Sequence, residues 1–85
     1  MPPYQIERLD SAQVDVRAVD RETAMRIFEG ILHFTRSGSG EVRPLHGPLA
    51  GSFRLRVGDH RILFKLRGNV VQIFGVRHRS KAYRE

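Results

Sequence analysis

Apolar and polar residues alternate from Phe53 to Ile73, and the alternation is interrupted twice, at Gly58-Asp59 and at Gly68-Asn69. Period-two alternation puts successive side chains on opposite faces of a strand. A two-residue break containing glycine is the signature of a tight hairpin. The segment from Phe53 onward therefore reads as a three-stranded antiparallel meander. Counting outward from the turns pairs 57 with 60, 55 with 62 and 53 with 64. Across the second turn, 67 pairs with 70, 65 with 72 and 63 with 74. Opposed residues share a face. One face is Phe53, Leu55, Val57, His60, Ile62, Phe64, Leu66, Val71 and Ile73, a core face. The other is Arg54, Arg56, Arg61, Leu63, Lys65, Arg67, Val70, Gln72, Phe74 and Val76, with five cations and no carboxylate.

Upstream, Tyr4-Gln5-Ile6-Glu7 alternates as a short strand does. Asp10 or Ser11 suits the start of a helix, but over residues 12–19 the β-branched Val14 and Val16 alternate, so helix and strand both stay open. The next segment is amphipathic. Asp20 is an N-cap, Ala24, Ile27, Phe28, Ile31, Leu32 and Thr35 follow at helical spacing, and Gly38 falls at the C-terminal cap. Gly30 inside this helix marks a place where another element packs closely. Residues 37–51, rich in Gly, Ser and Pro, read as a loop. The expectation is an α+β fold, one domain over residues 1–85, with the amphipathic helix covering the apolar face of the meander.

Charge sharpens this picture. The chain of 85 residues carries a net +6, yet residues 1–42 hold a net −2 and residues 43–85 a net +8. Eight of the ten cations in the second half are arginine, whose planar fork suits bidentate phosphate contacts. A basic face of this kind fits nucleic acid or an acidic protein partner, and a solvated surface is the bland alternative. Phe74 is placed either to stack a base or to cover a second patch of core. Cysteine is absent, the four histidines are scattered, and no apolar run approaches the ~20 residues a bilayer span needs. Those features point away from disulfides, a metal, a cofactor and a membrane, and toward the cytoplasm. His60 reads as structural by its parity, and His33 and His46 carry no signal.

Two stretches resemble a known family. Leu45-His46-Gly47 followed by Gly51 to Phe64, with its Arg-Val-Gly-Asp-His-Arg hairpin, is similar to the RelE/ParE superfamily of toxins from bacterial toxin–antitoxin pairs. So is Val76-Arg77-His78-Arg79-Ser80-Lys81-Ala82-Tyr83. The resemblance implies a RelE-like fold, an N-terminal strand and a helical hairpin packed on a twisted antiparallel sheet. It also implies one of two activities. RelE-like toxins cleave mRNA in the ribosomal A site, by attack of a 2′-hydroxyl on its own phosphate and without metal. ParE-like toxins poison DNA gyrase. Both are neutralised by a cognate antitoxin, an acidic, amphipathic segment wrapped over the toxin. A basic module that binds RNA or an acidic peptide without cleaving it is a third reading.

By the first branch, Arg54 and Arg56 match two positions often held by lysine, Arg61 would hold phosphate, and Arg77 would stabilise the transition state or protonate the leaving group. Tyr83 would orient the 2′-hydroxyl or stack on a base, and His78 would share acid–base work. Lys65, Arg67, Phe74, Arg79 and Lys81 are the expected contacts to RNA around them. Strict alternation puts Arg77 on the core side, and a bulge or strand end at Gly75 is needed to turn it toward the other arginines.

Overall fold

The computed structural model describes residues 2–81. Their order is β1 (Gln5–Arg8), α1 (Asp10–Arg17), α2 (Arg21–Ser37), β2 (Glu41–Pro44), β3 (Phe53–Val57), β4 (His60–Arg67) and β5 (Val70–His78), with short 3-10 turns at Gly47–Leu49 and Arg79–Lys81. The strands form one mixed sheet in the order β1-β5-β4-β3-β2, with β1 parallel to β5 and every other pair antiparallel.

The meander is present as the alternation requires. Val57 faces His60, Leu55 faces Ile62 and Phe53 faces Phe64. Gly58 and Gly68 adopt φ of 59° and 61° as the first residues of their turns, and among the described residues none other than glycine has positive φ. That is the pattern of a type II′ turn, which needs glycine first and matches the twist of the strands it joins.

Helix α2 begins where Asp20 accepts a bond from the Thr23 backbone N–H at 3.1 Å. It ends at Gly38, whose φ of 74° lets its N–H reach the Phe34 carbonyl at 2.7 Å. Its buried face is Ile27, Ile31, Phe34 and Thr35. This face is turned slightly from the expected one: Phe34 enters the core, while Phe28 is at the margin with the Arg8 guanidinium 5.1 Å from its ring. Burying the Ile27, Ile31 and Phe34 side chains contributes roughly 1.5–3 kcal/mol each, which outweighs the ~1 kcal/mol cost of Gly30. Gly30 is required, because a Cβ there would lie 2.6 Å from a Val57 methyl of β3.

The core gathers Ala12, Ile27, Ile31, Phe34, Leu55, Ile62, Phe64, Val71, Ile73 and Val76. Phe64 lies at its centre, with Phe34 and Phe53 rings 5.5 and 5.7 Å away. Leu66, expected in the core, is 38% exposed near the end of β4.

One open reading closes and two expectations change. Residues 12–19 are mostly helical: Ala12 is buried, Val16 and Val19 pack on the core, and Val14 faces solvent. The segment read as a loop over residues 37–51 contains an edge strand, β2, whose Val42 lies opposite Leu55. With the expected N-terminal strand, β2 and the meander, the sheet has five strands. Finally, the pairing of 63 with 74 does not form. Phe64 faces Ile73, but Leu63 faces Gly75, so Phe74 is an extra residue in β5. This bulge reverses the parity of everything after it, and Val76, expected on the arginine face, enters the core.

Candidate functional site

The face of the sheet turned away from the helices is built from rows that run across the strands. Glu41, Arg56, Arg61 and Arg77 form one row, from β2 through β3 and β4 to β5. Arg43, Arg54, Leu63 and Gly75 form the next. Arg77 joins Arg61 only because of the Phe74 bulge; without the extra residue it would point into the core. The re-aiming that the sequence required therefore occurs, one residue before Gly75.

The members of these rows differ in burial. Arg54 is only 6% exposed, and Leu63 beside it and Leu45, one step beyond β2, are buried outside the main core cluster. Arg56 is exposed and meets Glu41, Nε to Oε2, at 3.6 Å. Arg61 is half-buried. Arg77 is partly buried and ion-paired with Asp15 of α1. The expectation of a face without carboxylates is thus corrected: Glu41 and Asp15 reach its two ends, and Glu7 of β1 accepts from Gln72. All three come from elements outside the meander, so counting within the meander could not place them.

Further along β4, on the same face, lie Lys65, about 13 Å from Arg61 at four residues of strand rise, and Arg67, about 20 Å away at six. Lys65 Nζ sits 6.0 Å from the Phe74 ring centroid, and Arg67 donates to Gln72 at 2.7 Å. These side chains, with Leu9 and Leu49, line an open concavity of about 330 Å³. Phe74, as the bulged residue, is half-buried at its wall.

The other expected site residues lie elsewhere. His78 faces His60 across the strands, with ring centroids 5.2 Å apart. Both line a hollow with Thr23, Arg26 and Ile27 on the helix side of the sheet. His78 is therefore beside Arg77 in sequence but on the opposite face, because neighbours along a strand point opposite ways. Its Nδ1 is 2.9 Å from Ser80 Oγ. Arg79 is tied to the β3–β4 turn: its backbone N–H donates to the Asp59 carbonyl at 2.7 Å and its Nε is 3.8 Å from the Asp59 carboxylate. Lys81 closes the last 3-10 turn. Its side chain, and Tyr83 altogether, lie outside the described residues.

Asp15 is the site residue that sequence reasoning missed. The available signal was its place in a possible helix one turn after Ser11, but nothing local ties it to Arg77, 62 residues away. Among the described residues, no three His, Asp or Glu side chains cluster as metal ligands would, and no helix is long and apolar enough to cross a membrane. Chemically, the row offers a dense array of fixed guanidinium donors, suited to phosphate or carboxylate groups.

With the fold and this arginine row in view, the protein falls in the class of small α+β toxins. A family model described as the ParE toxin of type II toxin–antitoxin systems matches residues 6–83, and the chain belongs to that family, within the RelE/ParE superfamily. Among solved structures, it is similar to a chain of the toxin–antitoxin complex RelBE2 from Mycobacterium tuberculosis, with 26% identity, a TM-score of 0.83, and 95% of this chain and 97% of that one covered. It shares its fold with a chain of the RelE–RelB complex from Pyrococcus horikoshii, at 18% identity and a TM-score of 0.73, covering 94% and 99% of the two chains. The same holds for a chain of the RelB–RelE complex from Methanococcus jannaschii, at 22% identity and 0.69, covering 87% and 91%. No curated protein sequence matches the chain.

Proposed function

We propose that this toxin is a ribosome-dependent mRNA endoribonuclease that works without metal, held inactive by an acidic, amphipathic antitoxin segment. The observation that carries this reading is the row Arg56–Arg61–Arg77 with Arg54 beside it, all on the face of the sheet that the helices leave open. Cleavage of RNA by its own 2′-hydroxyl forms a bond from that oxygen to phosphorus and breaks the bond to the 5′-oxygen, leaving a 2′,3′-cyclic phosphate. The five-coordinate intermediate concentrates negative charge on the phosphate oxygens. Guanidinium donors already fixed by the sheet stabilise that charge without reorganising, and each such donor contributes roughly 10²–10³ in rate. Arg61 and Arg77, cross-strand neighbours, clamp the phosphate, and Arg77 also meets the leaving 5′-oxygen. Arg56, exposed on the row, fixes the strand of RNA alongside, and the buried Arg54 adds its positive charge beneath it.

Arginine does not give up its proton in a protein, so neither Arg54 nor Arg56 serves as a base, and Arg56 is the phosphate contact of the two. His78 points to the other face of the sheet, so water takes the proton of the attacking 2′-hydroxyl and water returns one to the leaving 5′-oxygen that Arg77 meets. Tyr83 keeps the role the resemblance implies, orienting the 2′-hydroxyl or stacking on a base. Lys65, Arg67 and Phe74, further along the sheet, hold the flanking RNA.

The test is 5′-end mapping of an mRNA incubated with the purified toxin, with and without programmed ribosomes. New ends within A-site codons, seen only with ribosomes and reduced about 100-fold by Arg61→Ala or Arg77→Ala, are the expected result. Arginine at positions 54 and 56, where a residue able to act as a base is expected, together with the ParE description of the matching family, favours a second reading, a gyrase-directed toxin. A DNA-damage response with intact mRNA in cells expressing the toxin would decide for it.

A further inference from the structure

We infer that Asp15 is the positioning residue of Arg77, holding its guanidinium in the orientation in which it meets a phosphate. Strand β1 pairs with β5 only as far as Ile73. Beyond that point helix α1 lies along the edge of β5 in place of a strand. Ser11 Oγ donates to the Phe74 carbonyl at 2.6 Å, and one turn later Asp15 Oδ2 accepts from the Val76 N–H at 2.9 Å. Two side chains four residues apart on one helix face thus satisfy the edge that the bulge leaves open.

The oxygen that takes the Val76 N–H also takes Nη1 of Arg77. That Nη1 donates as well to the Val76 carbonyl at 3.1 Å. Both of its hydrogens are therefore directed inward. The guanidinium reaches this place by crossing over Gly75, where a Cβ would lie 3.2 Å from Nη1 and 3.5 Å from Asp15 Oδ2. Of the five N–H donors of an arginine, three remain on Nε and Nη2. Among the described residues they meet no other acceptor, and they are the donors a phosphate would use. A carboxylate holding a functional cation by one end acts as the carboxylate behind a metal-bound histidine does: it fixes orientation while another group meets the substrate.

The catalytic form of this inference rests on the nuclease reading, so the experiment has two readouts. The first is single-turnover mRNA cleavage on programmed ribosomes by the full-length toxin and its Asp15→Ala, Asp15→Asn, Arg77→Ala and Asp15→Ala/Arg77→Ala variants. Asp15→Ala is expected to lower the rate about 10- to 100-fold with little change in KM. Asp15→Asn is expected to restore most of it, since an amide oxygen in the same place accepts both bonds. With Arg77 already replaced, Asp15→Ala is expected to cost nothing further. An equal loss in the Arg77→Ala background would mean that Asp15 only supports the fold, and no loss in a folded Asp15→Ala protein would also overturn the inference.

The second readout is side-chain 15N NMR of Arg77, which needs no activity. Slow guanidinium rotation in the parent and in Asp15→Asn, with fast averaging in Asp15→Ala, is expected. Unchanged Arg77 resonances in Asp15→Ala would sink the inference. If the parent toxin cleaves nothing, the nuclease reading fails alone, and the NMR result still decides the role of Asp15.

Discussion

Arg61 and Arg77 face each other directly across β4 and β5, so two like charges occupy a position where sheets ordinarily pair opposite ones. Arg56 stands on the other side of Arg61, and Glu41 and Asp15 offset part of the repulsion at the two ends of the row. Like charges opposed in a sheet destabilise it. A bound polyanion lowers what remains of that cost, which links binding to stability.

A single-stranded RNA oligomer is accordingly expected to raise the melting temperature. At about 100 times its Kd, a ligand stabilises by roughly 2.7 kcal/mol, or on the order of 10–20 °C for a domain of this size. Thermal melts at low and high salt check this, since the shift should fade steeply as salt rises. A melting temperature indifferent to RNA at low salt would contradict it.

Gly75 is where function and stability should separate. In Gly75→Ala the new Cβ approaches Nη1, at the far end of the long Arg77 side chain, at 3.2 Å and a Leu63 methyl at 3.4 Å. The guanidinium can move aside, so the expected loss of stability is about 1 kcal/mol or less. RNA cleavage should fall by about 10-fold or more, because Arg77 leaves its place. Chemical denaturation beside a cleavage assay measures both.

Gly30 should behave in the opposite way. Alanine is the better helix former by ~1 kcal/mol, but here its Cβ would lie 2.6 and 2.9 Å from the two Val57 methyls. Overpacking costs about 1–3 kcal/mol, so Gly30→Ala should destabilise on balance. Adding Val57→Ala should recover part of the loss. Denaturation of the two single variants and the double one tests this coupling.

The cap of α2 predicts a pH dependence. Bonds from the Thr23 hydroxyl and backbone N–H hold the Asp20 carboxyl below its ordinary value of 3.8. A depressed pKa in the folded state means the contribution is fully present above 3.8 and is lost as pH falls through the lower folded value. Asp20→Ala should therefore lower the melting temperature at neutral pH, and the difference from the parent should shrink as the pH drops below 3.8. A constant difference over that range would show that the charge of the cap is immaterial.

The meander, its two turns and the separation of apolar from cationic residues on β3 and β4 were legible in the chain because each depends on neighbours a few positions apart. Alternation sets parity, glycine sets the turns, and Asp20 and Gly38 mark the ends of α2. The family resemblance brought Arg77 to attention, but its place beside Arg61 could not be counted. That place needs the Phe74 bulge, and the bulge is stabilised by Ser11 and Asp15, more than 60 residues earlier. β2 and α1 were obscured for the same reason. Val42 becomes a strand residue only by lying against Leu55, and Val14 and Val16 become helical only because α1 covers the open edge of β5. The sequence by itself determined the local elements and the cationic face. The tertiary structure decided which arginines meet, because a strand's register can shift wherever distant side chains satisfy the backbone groups that the shift exposes.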